Sequence, residues 1–474
     1  MKLLFVASEL APLAQTGGLG DAVAGLAAAL VARGHAVTCV LPAYRSLLAH
    51  PECPALASEP GPQLSGVPGP LRWLRGTLES GAGLCLFDAP GLYTGDQLYG
   101  EPDQQVLRFA SLARAAASLA VEECPDVLVA HDWHAALAPA CLRTIFDAGP
   151  GRAVATVQVI HNNAHQGRFQ ASAMAQTGLP AELFQPEGLE FFGDLCLLKG
   201  GLLFADRIVA VSPQYAEELR TPAQGNGLEG VYNSRAHLLY GIANGIDTQR
   251  YDPSTDAELP ARFSALEIEG RAQCRKALLQ QLRLDVPASG LFLTAIGRFA
   301  EQKGWDVLAD ALPHLVAAGA SIALLGDGDA EISTRLRAAA NRASQRIHLS
   351  IGWNEPMARR LYGGADAVLV PSRFEPCGLV QLLAQRYGCL PIAHRVGGLV
   401  DTIRDGETGV LFSPLSTREL VKATLRGAAL VAQRGEAALS QDLASLDVSW
   451  TEPARLWETL LLAAAEEARV RAGG

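Results

Sequence analysis

The sequence lacks the marks of several protein classes. No apolar run in its 474 residues reaches the ~18 to 20 that a membrane-spanning helix needs. The apolar opening, residues 1–7, stops at Ser8-Glu9, too short for a secretory signal and with no cleavage site after it. The nine cysteines are odd in number, widely spaced and free of Cys-x-x-Cys pairs. That spacing excludes a zinc ribbon and a disulfide framework, and it fits buried thiols in a reducing compartment. A net charge of −10 with no basic stripe argues against nucleic acid or an anionic membrane as partner. The expected setting is the cytoplasm, and an anionic substrate then requires a local basic pocket.

What is present is the composition of a globular enzyme, 49% apolar and 19% charged. The length predicts two or three domains. Short apolar runs alternate with helical spacing, and polar clusters stand where the runs end. Residues 3–7 predict a buried strand, followed by a loop with Glu9 and Thr16-Gly17-Gly18-Leu19-Gly20-Asp21, then a helix to about Ala32. This βαβ start lets phosphate or sugar approach the backbone, but its spacing is not the dinucleotide Gly-x-Gly-x-x-Gly. Residues 51–70 read as an irregular insertion. A strand over 84–87 leads to a loop with Tyr93, and a helix is expected over about 104–122.

The strand over 127–130 ends in His131-Asp132-Trp133-His134. Two histidines at i and i+3 without a third ligand at metal-site spacing do not make a metal site. An aromatic face beside a carboxylate and an imidazole suits sugar rings and hydroxyls better. The strand over 156–160 ends similarly in His161-Asn162-Asn163. Asn244-Gly245-Ile246-Asp247 reads as a turn and hinge, and 252–285 as helical in pattern.

The second half restarts the alternation. A strand over 291–296 precedes a loop with Arg298 and Lys303, two cations suited to a phosphate clamp. Trp353 follows another strand and could stack on a base. After the strand over 367–370 come Glu375-Pro376-Cys377-Gly378-Leu379 and a helix to about Tyr387. Helix starts attract phosphate, so Glu375 would face whatever that phosphate carries. The last helix, over 453–469, is amphipathic and contains Trp457. The fold class expected is α/β, with two parallel-sheet units and a cleft gathering these clusters.

Thr16-Gly17-Gly18-Leu19, His131-Asp132-Trp133-His134, His161-Asn162, Arg298 with Lys303-Gly304, and the Glu375 stretch occur in one order. In this the chain resembles bacterial glycogen synthases and their kin the plant starch synthases (glycosyltransferase family 5). The resemblance implies a GT-B fold of two Rossmann-like domains: 1–243 on the acceptor side, 244–452 for the nucleotide sugar, and 453–474 crossing back to the first. It implies a retaining transfer of glucose from ADP-glucose to the non-reducing end of an α-1,4-glucan, glycogen, with no cofactor or metal. By the same resemblance Glu375, His161, Arg298 and Lys303 are catalytic. Gln15, Gly18, Asp21, Asn244, Trp353, Cys377, Gly378, Leu379 and Val380 line the donor. Glu9, Tyr93, Asp132, Trp133, His134 and Asn162 lie on the sugar and acceptor side. The alternatives are a related transferase using UDP-glucose or a small acceptor, and a glucan-binding or priming protein without turnover.

Two positions depart from the family pattern. Val380 stands where some relatives carry a hydroxyl, and a backbone amide can serve there. Gln15 stands where the family has lysine, and a neutral hydrogen bond is roughly half as strong as a charge-assisted one. Gln15→Lys is therefore expected to lower the donor KM in steady-state kinetics; an unchanged KM removes Gln15 from donor binding.

Overall fold

The computed structural model describes residues 1–95, 97–147, 149–287 and 290–473. Two compact units divide the chain: Met1–Asn244 joined by the stretch from Trp450 onward, and Gly245–Ser449.

In the first unit the strands are β1 (Lys2–Val6), β2 (Ala36–Pro42), β3 (Ala57–Pro60), β4 (Arg72–Thr77), β5 (Gly83–Asp88), β6 (Val127–His131) and β7 (Ala155–Ile160). Then come β8 (Arg168–Gln170), β9 (Glu190–Phe191) and β10 (Asp194–Cys196), a small antiparallel sheet, and finally β11 (Arg207–Ala210) and β12 (Leu239–Gly241). The main sheet has the order β12-β11-β7-β6-β1-β2-β5-β4-β3. Its strands run in one direction except for β4, which pairs antiparallel with both β3 and β5 near one edge. β1, β6 and β7 are buried almost throughout, which is why they read as continuous apolar runs rather than alternating ones.

The helix Gly18–Ala32 buries Leu19, Val23, Leu26 and Leu30, one stripe at helical spacing. Gly25 on that helix meets Trp450, and a Cβ there would overlap the indole. The final helix, Thr451–Gly473, sinks Trp457, Leu461 and Ala464 into the same unit. Arg33 and His35 both reach its Glu458, and Asp126 receives its Arg469 at 2.7 Å.

The second unit has six parallel strands: β13 (Phe292–Ile296), β14 (Ser321–Gly326), β15 (Ile347–Ile351), β16 (Ala367–Val370), β17 (Leu390–His394) and β18 (Val410–Phe412). Their order is β15-β14-β13-β16-β17-β18. Alternate residues of each strand enter two separate cores. Leu293, Leu324, Leu369 and Ile392 pack on one face, and Phe292, Leu325, Val368 and Ala393 on the other.

Two expectations need correction. Residues 51–70 contain β3, which pairs antiparallel with β4. All four β3 residues are exposed, so no apolar alternation betrayed it. Residues 252–285 are helical only over Gly270–Leu282. Before it, the carboxylates of Asp252 and Asp256 accept backbone N–H groups two residues on, Asx turns that compete with a helix. Among the described residues no helix is long and apolar enough to cross a membrane.

Trp457 is 2% exposed. Trp457→Ala should destabilise the first unit by about 3–5 kcal/mol, read as a lowered midpoint in chemical denaturation. An unchanged midpoint would show that the last helix adds nothing to that core.

Candidate active site

In an open parallel sheet, ligands bind beyond the carboxyl ends of the strands, where the strand order reverses. In the second unit that point lies between β13 and β16. The loops leaving them touch: the Arg373 N–H donates to Gln302 O at 2.8 Å, and the Arg373 guanidinium holds both Asp306 oxygens at 2.7 Å. Gly304, at φ +68°, lies so close to Pro371 O that a Cβ would collide. Lys303 Nζ is thereby set on both oxygens of Glu375, at 2.9 and 2.7 Å. Ser372 Oγ donates to Glu375 Oε2 at 2.9 Å, and the Glu375 carbonyl accepts Gly398 N–H at 2.9 Å. Glu375 is only 6% exposed, so its carboxylate is a buried charge with its counter-charge supplied.

The chain then turns at Gly378, φ +79°, over the buried Gln381 amide. Gln381 Nε2 donates to Cys377 O, Gly378 O and Thr402 Oγ1 at 2.8–3.1 Å. Cys377 is buried; Leu379 caps the helix Val380–Arg386, whose first-turn N–H groups have no partners within the helix. Arg298 is exposed on the β13 loop, with its carbonyl held by Trp305 Nε1 at 2.8 Å. Trp353 follows β15 and is 68% exposed, an open ring at a strand end.

In the first unit the order reverses between β1 and β6. Glu9, beyond β1, is buried, and its carboxylate accepts Thr16 N–H at 2.8 Å, Thr16 Oγ1 at 2.6 Å, Gly17 N–H at 3.3 Å and the Tyr99 hydroxyl. It fastens the glycine-rich loop. Gln15 Nε2 donates to Asp21 Oδ2 at 2.5 Å and to Gly17 O at 3.1 Å, and Gly18 is exposed at the start of the helix that carries Asp21.

Asp132, beyond β6, has φ 56°. Its carboxylate accepts the N–H of His161 at 2.7 Å and of Asn162 at 3.2 Å, tying the β6 loop to the β7 loop. Burial pushes the Asp132 carboxyl up to about 7, against those two N–H groups, which pull it down. His161 is half-buried and meets His131 with 3.0 Å between Nε2 and Nδ1; burial pulls its pKa down to about 3. Asn162 Oδ1 accepts Ala164 N–H at 3.1 Å. Asn244 is half-buried, the last residue of its segment.

Three of the residues expected on the sugar side, Tyr93, Trp133 and His134, are buried like Glu9 and Asp132. Tyr93 is 3% exposed and donates to Arg108 O at 2.7 Å. Trp133 packs edge-on against Phe109, and His134 lies flat on Tyr99 with ring centres 4.8 Å apart. Tyr99, not Tyr93, is the tyrosine beside Glu9 and Thr16. Sequence reading missed Tyr99, which follows a loop without periodicity. It also missed Ser372, whose spacing three residues before Glu375 was a usable signal. His131 faces His161 while His134 sits among aromatic rings, so the two histidines do not converge. Among the described residues no cluster of three or more His, Cys, Asp or Glu side chains is arranged to hold a metal ion.

The starch synthase catalytic domain family matches residues 2–234, and glycosyl transferases group 1 matches 291–429. A glycogen synthase of Rhodopseudomonas palustris is 41% identical, over 97% of this chain and 98% of its own length. One from Acidiphilium cryptum is 39% identical over the same shares. Among solved structures, the catalytic domain of starch synthase IV from Arabidopsis thaliana, bound to ADP and acarbose, superposes with a TM-score of 0.89 at 28% identity, covering 98% of this chain and 99% of that one. Sucrose-phosphate synthase from Thermosynechococcus elongatus, at 18% identity, TM-score 0.62 and coverage of 98% and 99%, shares the fold.

Two parallel α/β units with loops of this kind at their switch points define a glycosyltransferase of the GT-B fold. Within that class the chain belongs to the glycogen synthase family.

Because the folded-state pKa of His161 lies below its unfolded value, the unfolded chain takes the proton first. The contribution of His161 to stability is therefore lost as pH falls from about 6.5 towards about 3. Its ring signals in NMR should stay flat between pH 5 and 8; a midpoint near 6.5 would show a solvated, chargeable imidazole.

Proposed function

We propose that this chain transfers glucose from ADP-glucose to the non-reducing end of an α-1,4-glucan, with retention at the anomeric carbon, in the cytoplasm and without a metal. The carrying observation is the Lys303–Glu375–Ser372 cluster at the switch point of the second unit. The starch synthase IV relative, bound to ADP and acarbose, supports the choice of ligands.

As the bond from the anomeric carbon to the diphosphate breaks, its electron pair passes to the departing phosphate. The negative charge gathering there falls to Arg298, Lys303 and the first N–H groups of the helix Val380–Arg386. Positive charge grows on the sugar ring, and Glu375 is the carboxylate placed to offset it. Lys303 serves both charges: it neutralises Glu375 at rest and turns to the phosphate as ADP leaves. Trp353 offers its open face to adenine, and His161 stays a neutral hydrogen-bonding group beside the sugar. A UDP-glucose donor is the second reading, favoured by Gln15, which brings no charge to the donor loop and is bonded to Asp21.

The test is nucleoside diphosphate release from ADP-glucose or UDP-glucose with glycogen, in the presence of chelator. Release from ADP-glucose is expected, with Glu375→Ala and Lys303→Ala each lowering kcat by about 10²–10³-fold. Release mainly from UDP-glucose moves the donor, and glycogen binding without release from either overturns the catalytic reading.

A further inference from the structure

A second concentration of positive charge lies in the first unit, away from the β1, β6 and β7 loops. An open surface hollow of about 460 Å³ is bordered by the chain entering β11, by Arg235 and by the final helix. Arg143, Arg207, Arg235 and Arg471 line it, against the carboxylates of Asp206 and Glu467 alone. In a chain of net charge −10, this pocket carries an excess of two positive charges.

The four guanidinium groups are unevenly satisfied. Arg143 donates to Asp206 Oδ2 at 2.7 Å and to Val154 O at 2.8 Å. Arg471 donates to Asp206 Oδ1 at 2.5 Å, and Arg207 pairs with Glu467, whose side chain is 61% exposed. Arg235 donates to Ala205 O at 2.6 Å. The Nε groups of Arg235 and Arg471 are buried with no hydrogen-bond partner among the described residues. A buried N–H without an acceptor is costly, and guanidinium forks match phosphate oxygens two at a time. Burial lowers the pKa of both Arg143 and Arg235, and the neighbouring charge of Arg471 lowers that of Arg143 further, so these cations gain from an added anion.

We propose that this hollow binds a phosphomonoester, at a site separate from the donor. The dianionic phosphate matches the charge excess. The volume exceeds what a bare phosphate fills, and Phe204 and Leu238 supply apolar wall for an organic body. Glu467, exposed and on the last helix, can swing from Arg207 to admit the anion. Its binding would fasten that helix to the start of β11.

The test is calorimetric titration with inorganic phosphate and with glycerol phosphate at constant ionic strength. It uses the Arg298→Ala/Lys303→Ala double variant, so that the second unit's cations do not contribute. One saturable site is expected, tighter for the ester, and Tm should rise with ester concentration. Adding Arg235→Gln should weaken binding at least ~10-fold, and Arg235→Lys less. Leu238→Trp, which fills the hollow and leaves every arginine in place, should also abolish it, so a misfolded arginine variant does not decide the matter. No saturable binding, or binding untouched by Arg235→Gln and Leu238→Trp, overturns the site. Equal affinity for the two probes overturns the ester.

Discussion

Lys303 and Glu375 are 72 residues apart in sequence and share two hydrogen bonds. Their meeting depends on one topological constraint. Parallel strands need crossover connections, and in the second unit the chain runs outward from β13 to β15 and then returns to lay β16 on the other side of β13. Two loops from distant sequence therefore leave the same edge side by side. The rest of the site follows from how tightly they lie: a glycine where backbones touch, an arginine–aspartate fork across them, and a lysine laid over the carboxylate. A residue that forced these loops apart would dissolve the ion pair without touching either charge.

The first unit repeats the topology with a different use of acid groups. Glu9 and Asp132 stand beyond the neighbouring strands β1 and β6, and each holds a loop: Glu9 Oε2 accepts the N–H of Thr16 and Gly17, and Asp132 Oδ1 accepts the N–H of His161 and Asn162. They shape the surfaces that a sugar would meet. Gln15 and Gly18 are exposed on the first of these loops, and His161 and Asn162 are half-buried on the other.

Most of the fold was legible because buried parallel strands are apolar throughout, so β1, β6, β7, β13, β14 and β16 announce themselves. β3 did not, since a wholly exposed edge strand has no periodic signature. The place of Glu375 between a strand and a helix was readable from the apolar run before it and the helical spacing after it. That Lys303 rests on it was not, because a pairing across 72 residues is a matter of strand order, which single-sequence patterns do not carry. The contact of Tyr99 with Glu9 was hidden for a related reason. Both Tyr93 and Tyr99 follow a strand end, and only packing decides which hydroxyl points to Glu9 and which to the carbonyl of Arg108.

The return of the stretch from Trp450 to the first unit sets an order of assembly. On a ribosome, the sequence of Gly245–Ser449 is complete before that of the first unit, whose helix Gly18–Ala32 waits for Trp450 and whose core waits for Trp457. Domains generally form in order of synthesis, N-terminal first. Here the later-made unit can close while the earlier one still shows an unfilled apolar groove. The nascent chain thus carries a sticky surface for the whole time the second unit is translated, and loss of the final two dozen or so residues would leave that surface permanently open to chaperones and proteases.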